Sequence, residues 1–383
     1  MPQSVNDFVT NTSPSPDTRS RACHAKLNLM LSVGPPAPTG TLHNNKDVSG
    51  YHPIASWMVP ITLYDDLDIT RLPKGSKSTY DIAFADDASR AETVNWPIDK
   101  DLAVRAHRAL EAAAGAKLPI ALKLRKRIPT GAGLGGGSSN AGGTLVALRE
   151  LFAAELAAIN DDAFRAIALS IGSDVAFFAD IDPDATTQTA CDWPRQAIVE
   201  AFGDTITHVQ GVEGRVLLII SSISCATKPV YDSFDKRLLD SANDRKRTQG
   251  QREPSLEPKA EMIRQRHLRA LEQGTREDHF FNDLAKPAFD IEPKLGALAT
   301  AVASMARQGA HVTGSGSCIF VWPEGSEIAP KRGRSLGTGA ELERKRIDDA
   351  RFAKAREKCL AAVAAWSLAN DAKAVVISCD VLA

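Results

Sequence analysis

Residues 129–143 read PTGAGLGGGSSNAGG, with seven glycines, two serines, one asparagine and no charge. Glycine inside a helix or strand costs roughly 0.5–1 kcal/mol against alanine, so this run implies that something must approach the main chain closely. Its flanks narrow the choice. PIALKLRKRIP before it alternates like a strand, and Ala141, Leu145, Leu148 and Phe152 after it fall at helical spacing. A flexible linker shares the glycine–serine composition but would not be set between a strand and a helix.

Three phosphate-loop readings compete. A Walker A loop needs a lysine after its last glycine, and here Gly137 is followed by Ser138 and Ser139. The spacing Gly131-x-Gly133-x-x-Gly136 satisfies the dinucleotide fingerprint, but its acidic partner should end a second strand, whereas Glu150 lies within the helical pattern. The third reading is a nucleoside-triphosphate loop. There Gly131 to Gly137 wrap the phosphates with successive amides, and a helix from about Ser138 adds its positive end. Ser138 and Ser139 would offer hydroxyls to a phosphate or Mg²⁺, Ser138 being the metal-ligand candidate, and Asn140 adds a polar contact.

The chain of 383 residues is long for one domain, and strands and helices without a regular βαβ rhythm point to two α+β domains. The division falls near residue 190, giving an N-terminal domain over 21–190 that carries the glycine loop and a second domain over 191–383. The polar residues 1–20 read as a disordered leader, and charge-rich insertions are expected near 233–258 and 323–348. A formal net charge of −1 provides no field for nucleic acid or an acidic membrane. No apolar run approaches the ~20 residues of a membrane span. Six scattered cysteines without a C-x-x-C pair suit reduced thiols in the cytoplasm.

Other residues are ambiguous alone. KLNLMLSV alternates, with Leu27, Leu29, Leu31 and Val33 on one strand face and Lys26 and Asn28 on the other, polar one. Asp174 follows a helix end, where a capping or turn aspartate is common. Gly314 and Gly316 in VTGSGSCIF suit a second phosphate concavity or a tight turn equally well.

Together the motifs carry a resemblance. PTGAGLGGGSSNAGG resembles the ATP loop of the galactokinase–homoserine kinase–mevalonate kinase–phosphomevalonate kinase (GHMP) superfamily, and AKLNLMLSV, GSDVAFF and VTGSGSCIF agree with it in order from residue 22 to about 321. The resemblance implies an α+β, two-domain fold, ribosomal protein S5 domain 2-like at the N-terminus and ferredoxin-like at the C-terminus. It implies Lys26 and Asp174 as the catalytic pair, and Pro129, Gly131, Gly133, Leu134, Gly135, Gly136 and Gly137 as the ATP loop, continued by Ser138, Ser139 and Asn140. Lys126 matches a position near the adenine, on an otherwise ordinary exposed strand face. SGYH and TKPVY are similar to the branch whose substrate is a small molecule linked to cytidine diphosphate. There Tyr51, His52 and Tyr231 would hold cytosine, with Asn28 and Thr227 as further substrate contacts. The implied reaction moves the γ-phosphate of ATP, with Mg²⁺, to the 2-hydroxyl of 4-diphosphocytidyl-2-C-methylerythritol. A homoserine- or mevalonate-type acceptor, or a non-catalytic nucleotide sensor, are the alternatives. The chain departs from the pattern at Ser49, Ala176, Ala201 and Asp204 and in an expanded loop from Gly34 to Ser49.

Overall fold

The computed structural model describes residues 17–44, 46–90, 92–180, 194–247, 259–324, 326 and 339–383. The expected leader lies outside the described residues as far as position 16, and its end is corrected: β1 spans Thr18–Val33. Thr18, Arg19 and Ser20 pair with Thr70, Ile69 and Asp68, and this ladder orders residues that composition reads as loose.

β1 runs antiparallel to the single long strand β4 (Ile54–Arg71). The loop between them carries a small hairpin of β2 (Leu42–His43) and β3 (Lys46–Asp47). β5 (Thr79–Phe84) lies parallel to β6 (Ile120–Lys126), which pairs with the far half of β4. β7 (Ala197–Ala201) pairs with the near half of β4, and β8 (Thr205–His208) with β7. The later chain adds β9 (Gly214–Ser221), β10 (Phe281–Asn282), β11 (His311–Val312), β12 (Ile319–Val321) and β13 (Ala374–Val381). The strand order β10-β1-β4-β13-β9-β12-β11 places β13 between the two halves.

Helices cover the sheet. α1 (Leu102–Ala114) starts where the Asp101 side chain accepts from the Ala103 amide, and stops at Gly115 in the left-handed region, φ 61. α2 (Gly136–Leu151) starts two residues before the expected Ser138. α3 (Asp161–Ile171) is capped by the Asn160 side chain, and α4 (Val175–Ala179) is a short turn behind Asp174. Leu110, Leu145, Leu148 and Phe164 from these helices meet Leu67, Leu122 and Leu124 from β4 and β6. Burying each such side chain contributes about 1.5–3 kcal/mol. α2 packs so closely that a Cβ on Gly142 or Gly143 would come within 2.7 Å of Phe178 Cβ or 2.6 Å of Cys23 Sγ.

The second half carries α5 (Thr227–Arg247), α6 (Ala260–Gln273), α7 (Ala285–Ile291), α8 (Pro293–Ala306) and α9 (Gly339–Asn370). Leu295, Leu298 and Val302 of α8 and Cys359, Val363 and Trp366 of α9 pack on Leu217 and Ile219 of β9. Both expected insertions are therefore partly helix, through Arg247 in the first and from Gly339 in the second. Residues 248–258, 325 and 327–338 of those insertions lie outside the described residues.

Two expectations about β1 need correction. Register shifts between His24 and Lys26 and between Asn28 and Met30 interrupt its alternation. Leu27, Leu29 and Met30 consequently share one core, while Leu31 and Val33 enter another. Every residue from Cys23 to Val33 is buried, Lys26 and Asn28 included, so the polar face of this strand points into the protein.

Ala201 occupies the position where the family pattern has glycine, and its backbone keeps the left-handed φ of 56. An L-residue there carries about 1–2 kcal/mol of strain, against the ~0.5–1 kcal/mol that glycine loses through unfolded-state freedom. Ala201→Gly should therefore raise stability by about 0.5–1 kcal/mol in urea unfolding, and a lower midpoint would contradict this account.

Candidate active site

Strand β6 delivers the chain into the glycine loop, and the loop is tied down on two sides. The Lys26 amide donates to Leu134 O at 3.0 Å, and the Cys318 amide donates to Ala132 O at 3.1 Å. The second contact comes from VTGSGSCIF, so the two glycine motifs lie against each other. Their approach explains Gly133: with φ +75, a Cβ there would stand 2.3 Å from Thr313 O. Gly135, also left-handed at φ 72, is the N-cap of α2 and offers no side-chain cap, which leaves the first helical amides to a ligand.

The second motif is itself anchored. Asn282 Nδ2 donates to Val312 O at 2.8 Å and to Gly314 O at 2.7 Å, while the Asn28 amide donates to Thr313 Oγ1 at 2.9 Å. VTGSGSCIF thus acts as a wall behind the glycine loop, and it meets the start of α5 where Thr227 Oγ1 lies 3.2 Å from Ser315 Oγ.

Beside the loop stands the lysine–aspartate pair. Lys26 Nζ lies 3.7 Å from Asp174 Oδ2 and donates to Asn28 Oδ1. Asn28 Nδ2 in turn donates to Ser56 Oγ at 2.7 Å, and Ser56 donates to Met30 O, so a buried chain of hydrogen bonds fixes the amide. A Cβ on Gly135 would lie 3.1 Å from Lys26 Cγ, which sets the lysine stem against the helix mouth. Burial holds the Lys26 ammonium below its usual range, and the Asp174 carboxylate pulls it back up. Asp174 is the more open partner, with its side chain 26% exposed.

Of the residues expected to hold a base, His52 and Tyr231 come together from another direction. His52 hydrogen-bonds through Nδ1 to Gly34 O at 2.9 Å, and its ring centroid lies 4.8 Å from that of Tyr231. Burial, and then the negative charge of Asp174, push the Tyr231 hydroxyl up to about 12. Tyr51 is 63% exposed, open to solvent rather than enclosed in the aromatic cluster. His52 Nε2 also faces Asp235 Oδ2 at 3.6 Å, a partner that sequence reasoning missed.

Lys126 and Asn140 are turned elsewhere. Lys126 is buried, not on an exposed face, and donates to Asp65 Oδ2 at 2.8 Å and Asn140 Oδ1 at 2.6 Å. Asp65 also accepts from Asn140 Nδ2 and from the amides of Arg127 and Ile128. This network holds the strand end from which the loop departs. Ser139 is buried in α2, and Ser138, half-buried, has its hydroxyl 3.9 Å from where a Cβ on Gly172 would stand, just before Asp174. Asp65 had a readable signal: in TLYDDLDIT it falls in phase with Leu63, Leu67 and Ile69, a carboxylate among apolar neighbours. Asn282 carried no such mark.

The arrangement can grip a triphosphate at the helix mouth and present its end to a hydroxyl beside Asp174. Comparison with known proteins gives the same direction. Residues 101–180, from the N-cap of α1 to the end of α4, match the family "GHMP kinases N terminal domain". The 4-diphosphocytidyl-2-C-methyl-D-erythritol kinase of Polaromonas sp. strain JS666 is 30% identical over 296 residues, covering 77% of this chain and 80% of that one. The enzyme of the same name from Deinococcus radiodurans is 40% identical over 166 residues, covering 43% of this chain and 48% of that one. Among solved structures, a 4-(cytidine 5'-diphospho)-2C-methyl-D-erythritol kinase aligns with a TM-score of 0.56 at 24% identity, over 94% of this chain and 99% of that one. The mevalonate kinase of L. major in complex with R-mevalonate aligns with a TM-score of 0.53 at 12% identity, over 96% and 98%. These two share the fold, while the first relationship extends to sequence along most of both chains: this chain belongs to the 4-diphosphocytidyl-2-C-methyl-D-erythritol kinase family of GHMP kinases.

Proposed function

We propose that the chain transfers the γ-phosphate of ATP to the 2-hydroxyl of 4-diphosphocytidyl-2-C-methyl-D-erythritol, in the cytoplasm, as a step of isoprenoid precursor synthesis. The observation that carries this reading is the Lys26–Asp174 pair at the mouth of the glycine loop, 3.7 Å apart. Phosphoryl transfer asks a protein mainly for position and charge neutralisation. Asp174 is placed to orient the acceptor hydroxyl and take its proton, and the Lys26 ammonium offsets charge on the moving phosphoryl group. Asn28 fixes the lysine and so fixes the direction of that charge.

Magnesium fits as an ion carried on the nucleotide. Among the described residues no group of three His, Cys, Asp or Glu side chains forms a cage, and Mg²⁺ commonly binds through phosphates with few protein ligands. The Ser138 hydroxyl, facing the turn before Asp174, would hold it from the protein side. When bound, the ion neutralises phosphate oxygens.

His52 and Tyr231 support the cytidine moiety as the recognition handle, since stacking a base on an aromatic ring is worth ~1–3 kcal/mol. A coupled ADP-release assay tests the whole reading. Turnover is expected with the cytidylyl substrate and not with mevalonate or homoserine, and Tyr231→Ala should raise KM for that substrate by about tenfold or more with KM for ATP unchanged. Turnover on mevalonate or homoserine instead would replace the acceptor. ATP binding without turnover would make the chain a sensor.

A further inference from the structure

The segment between β5 and α1, DDASRAETVNWPIDKD, belongs to none of the motifs above, yet two of its residues grasp the entry of the phosphate loop. Glu92 Oε2 accepts from Thr130 Oγ1 at 2.5 Å and from the Thr130 amide at 3.4 Å. Arg90 lies over this carboxylate: its Nε donates to Glu92 Oε1 at 2.6 Å, and its Nη2 makes a further ion pair with the same oxygen. The same guanidinium donates from Nη2 to Thr130 O at 3.3 Å and from Nη1 to Ser221 O at 2.7 Å, at the end of β9. One side chain therefore joins three separate stretches: its own segment, the first residue before Gly131, and a strand from the other half.

The charges matter as much as the bonds. Glu92 secures Thr130, but a carboxylate beside the loop would repel a triphosphate bound in it. Arg90 cancels that charge while adding its own bonds to the loop carbonyl. A guanidinium suits this post because its planar fork reaches several acceptors at once, which an ammonium on a flexible stem does not. Both side chains are largely shielded, 22% and 13% exposed, so solvent screens the pair only in part.

We propose that Arg90 and Glu92 form a charge-balanced clasp that holds the entry of the phosphate loop in its ATP-binding shape, making both of them positioning residues for nucleotide affinity. The proposal rests on the reading of Gly131 to Gly137 as the ATP loop. It does not depend on the identity of the acceptor.

The test uses the full chain and ATP alone, with affinity measured by calorimetry and folding checked by circular dichroism. Arg90→Ala should weaken ATP binding about tenfold or more, the scale of losing charge-assisted bonds, while kcat at saturating ATP stays within about threefold. Glu92→Gln keeps an oxygen for Thr130 and removes the charge, so it isolates the repulsion that Arg90 cancels. Added to Arg90→Ala it should restore most of the lost affinity, and raised salt should shrink the Arg90→Ala defect. Unchanged affinity in Arg90→Ala, or a loss that Glu92→Gln leaves unrestored, overturns the clasp alone. If the unmodified chain binds no ATP, the kinase reading falls and the clasp falls with it.

Discussion

Asp174→Ala should lower turnover at least about a hundredfold, the usual scale of a positioned proton acceptor, while ATP still binds. The two effects separate because the glycine loop is held by other partners: Leu134 by the Lys26 amide and Ala132 by the Cys318 amide. The carboxylate contributes nothing to those bonds. Its loss also removes the carboxylate that pairs with Lys26, leaving the buried ammonium with Asn28. Asp174→Asn, which keeps the shape and removes the charge, should be nearly as slow. The measurement is kcat from ADP release beside an ATP titration, and near-normal turnover would remove Asp174 from the mechanism.

The largest stability effect is expected from Asp65→Ala. Asp65 is fully buried and receives four donors: the Lys126 ammonium, the Asn140 amide, and the backbone amides of Arg127 and Ile128. Truncation strands a buried cation, and breaking such a pair from one side costs about 3–5 kcal/mol. The unpaired amides of Arg127 and Ile128 add to the loss. Removing both charges together, Asp65→Ala with Lys126→Met, should recover a large part of it. Urea unfolding followed by circular dichroism measures both variants. A loss below about 1 kcal/mol for the single change would mean that water reaches this network and screens it.

The glycine loop and its flanking strand and helix were legible in the sequence because each depends on local spacing, whereas the placing of Lys26 beside Asp174, 3.7 Å apart, was implied only by the resemblance. Burial was not legible. Alternation in β1 separates two faces without saying whether either meets water, and here both are covered, so Lys26 and Asn28 sit inside. Lys126 shows the same limit: its partner Asp65 is 61 positions earlier, and their pairing follows from β4 lying against β6. The start of α2 was hidden for another reason. Gly135 caps it by backbone conformation alone, so no Ser, Thr or Asp marks the boundary. The charge-rich stretch from 233 reads as an insertion, yet Phe234 and Leu238 continue from Val230 an apolar stripe that docks α5. That stripe is too sparse to outweigh the surrounding Asp, Lys and Arg in a reading of composition.

The seat of β13 has a consequence for synthesis. Eight of its residues, Ala374 to Val381, zip onto β9 from Ser221 back to Gly214, and Val381 meets Ile61 of β4. A ribosome must add another 160 residues after Ser221 before that partner is complete (381 minus 221). At roughly 5–20 residues per second this is on the order of ten seconds or more. Throughout that interval the nascent β9 carries an open edge of apolar sequence, the kind that recruits stray strands. The ladders of β1 on β4 and of β4 on β6 can settle early, whereas the sheet built on β9 waits for β13 to arrive.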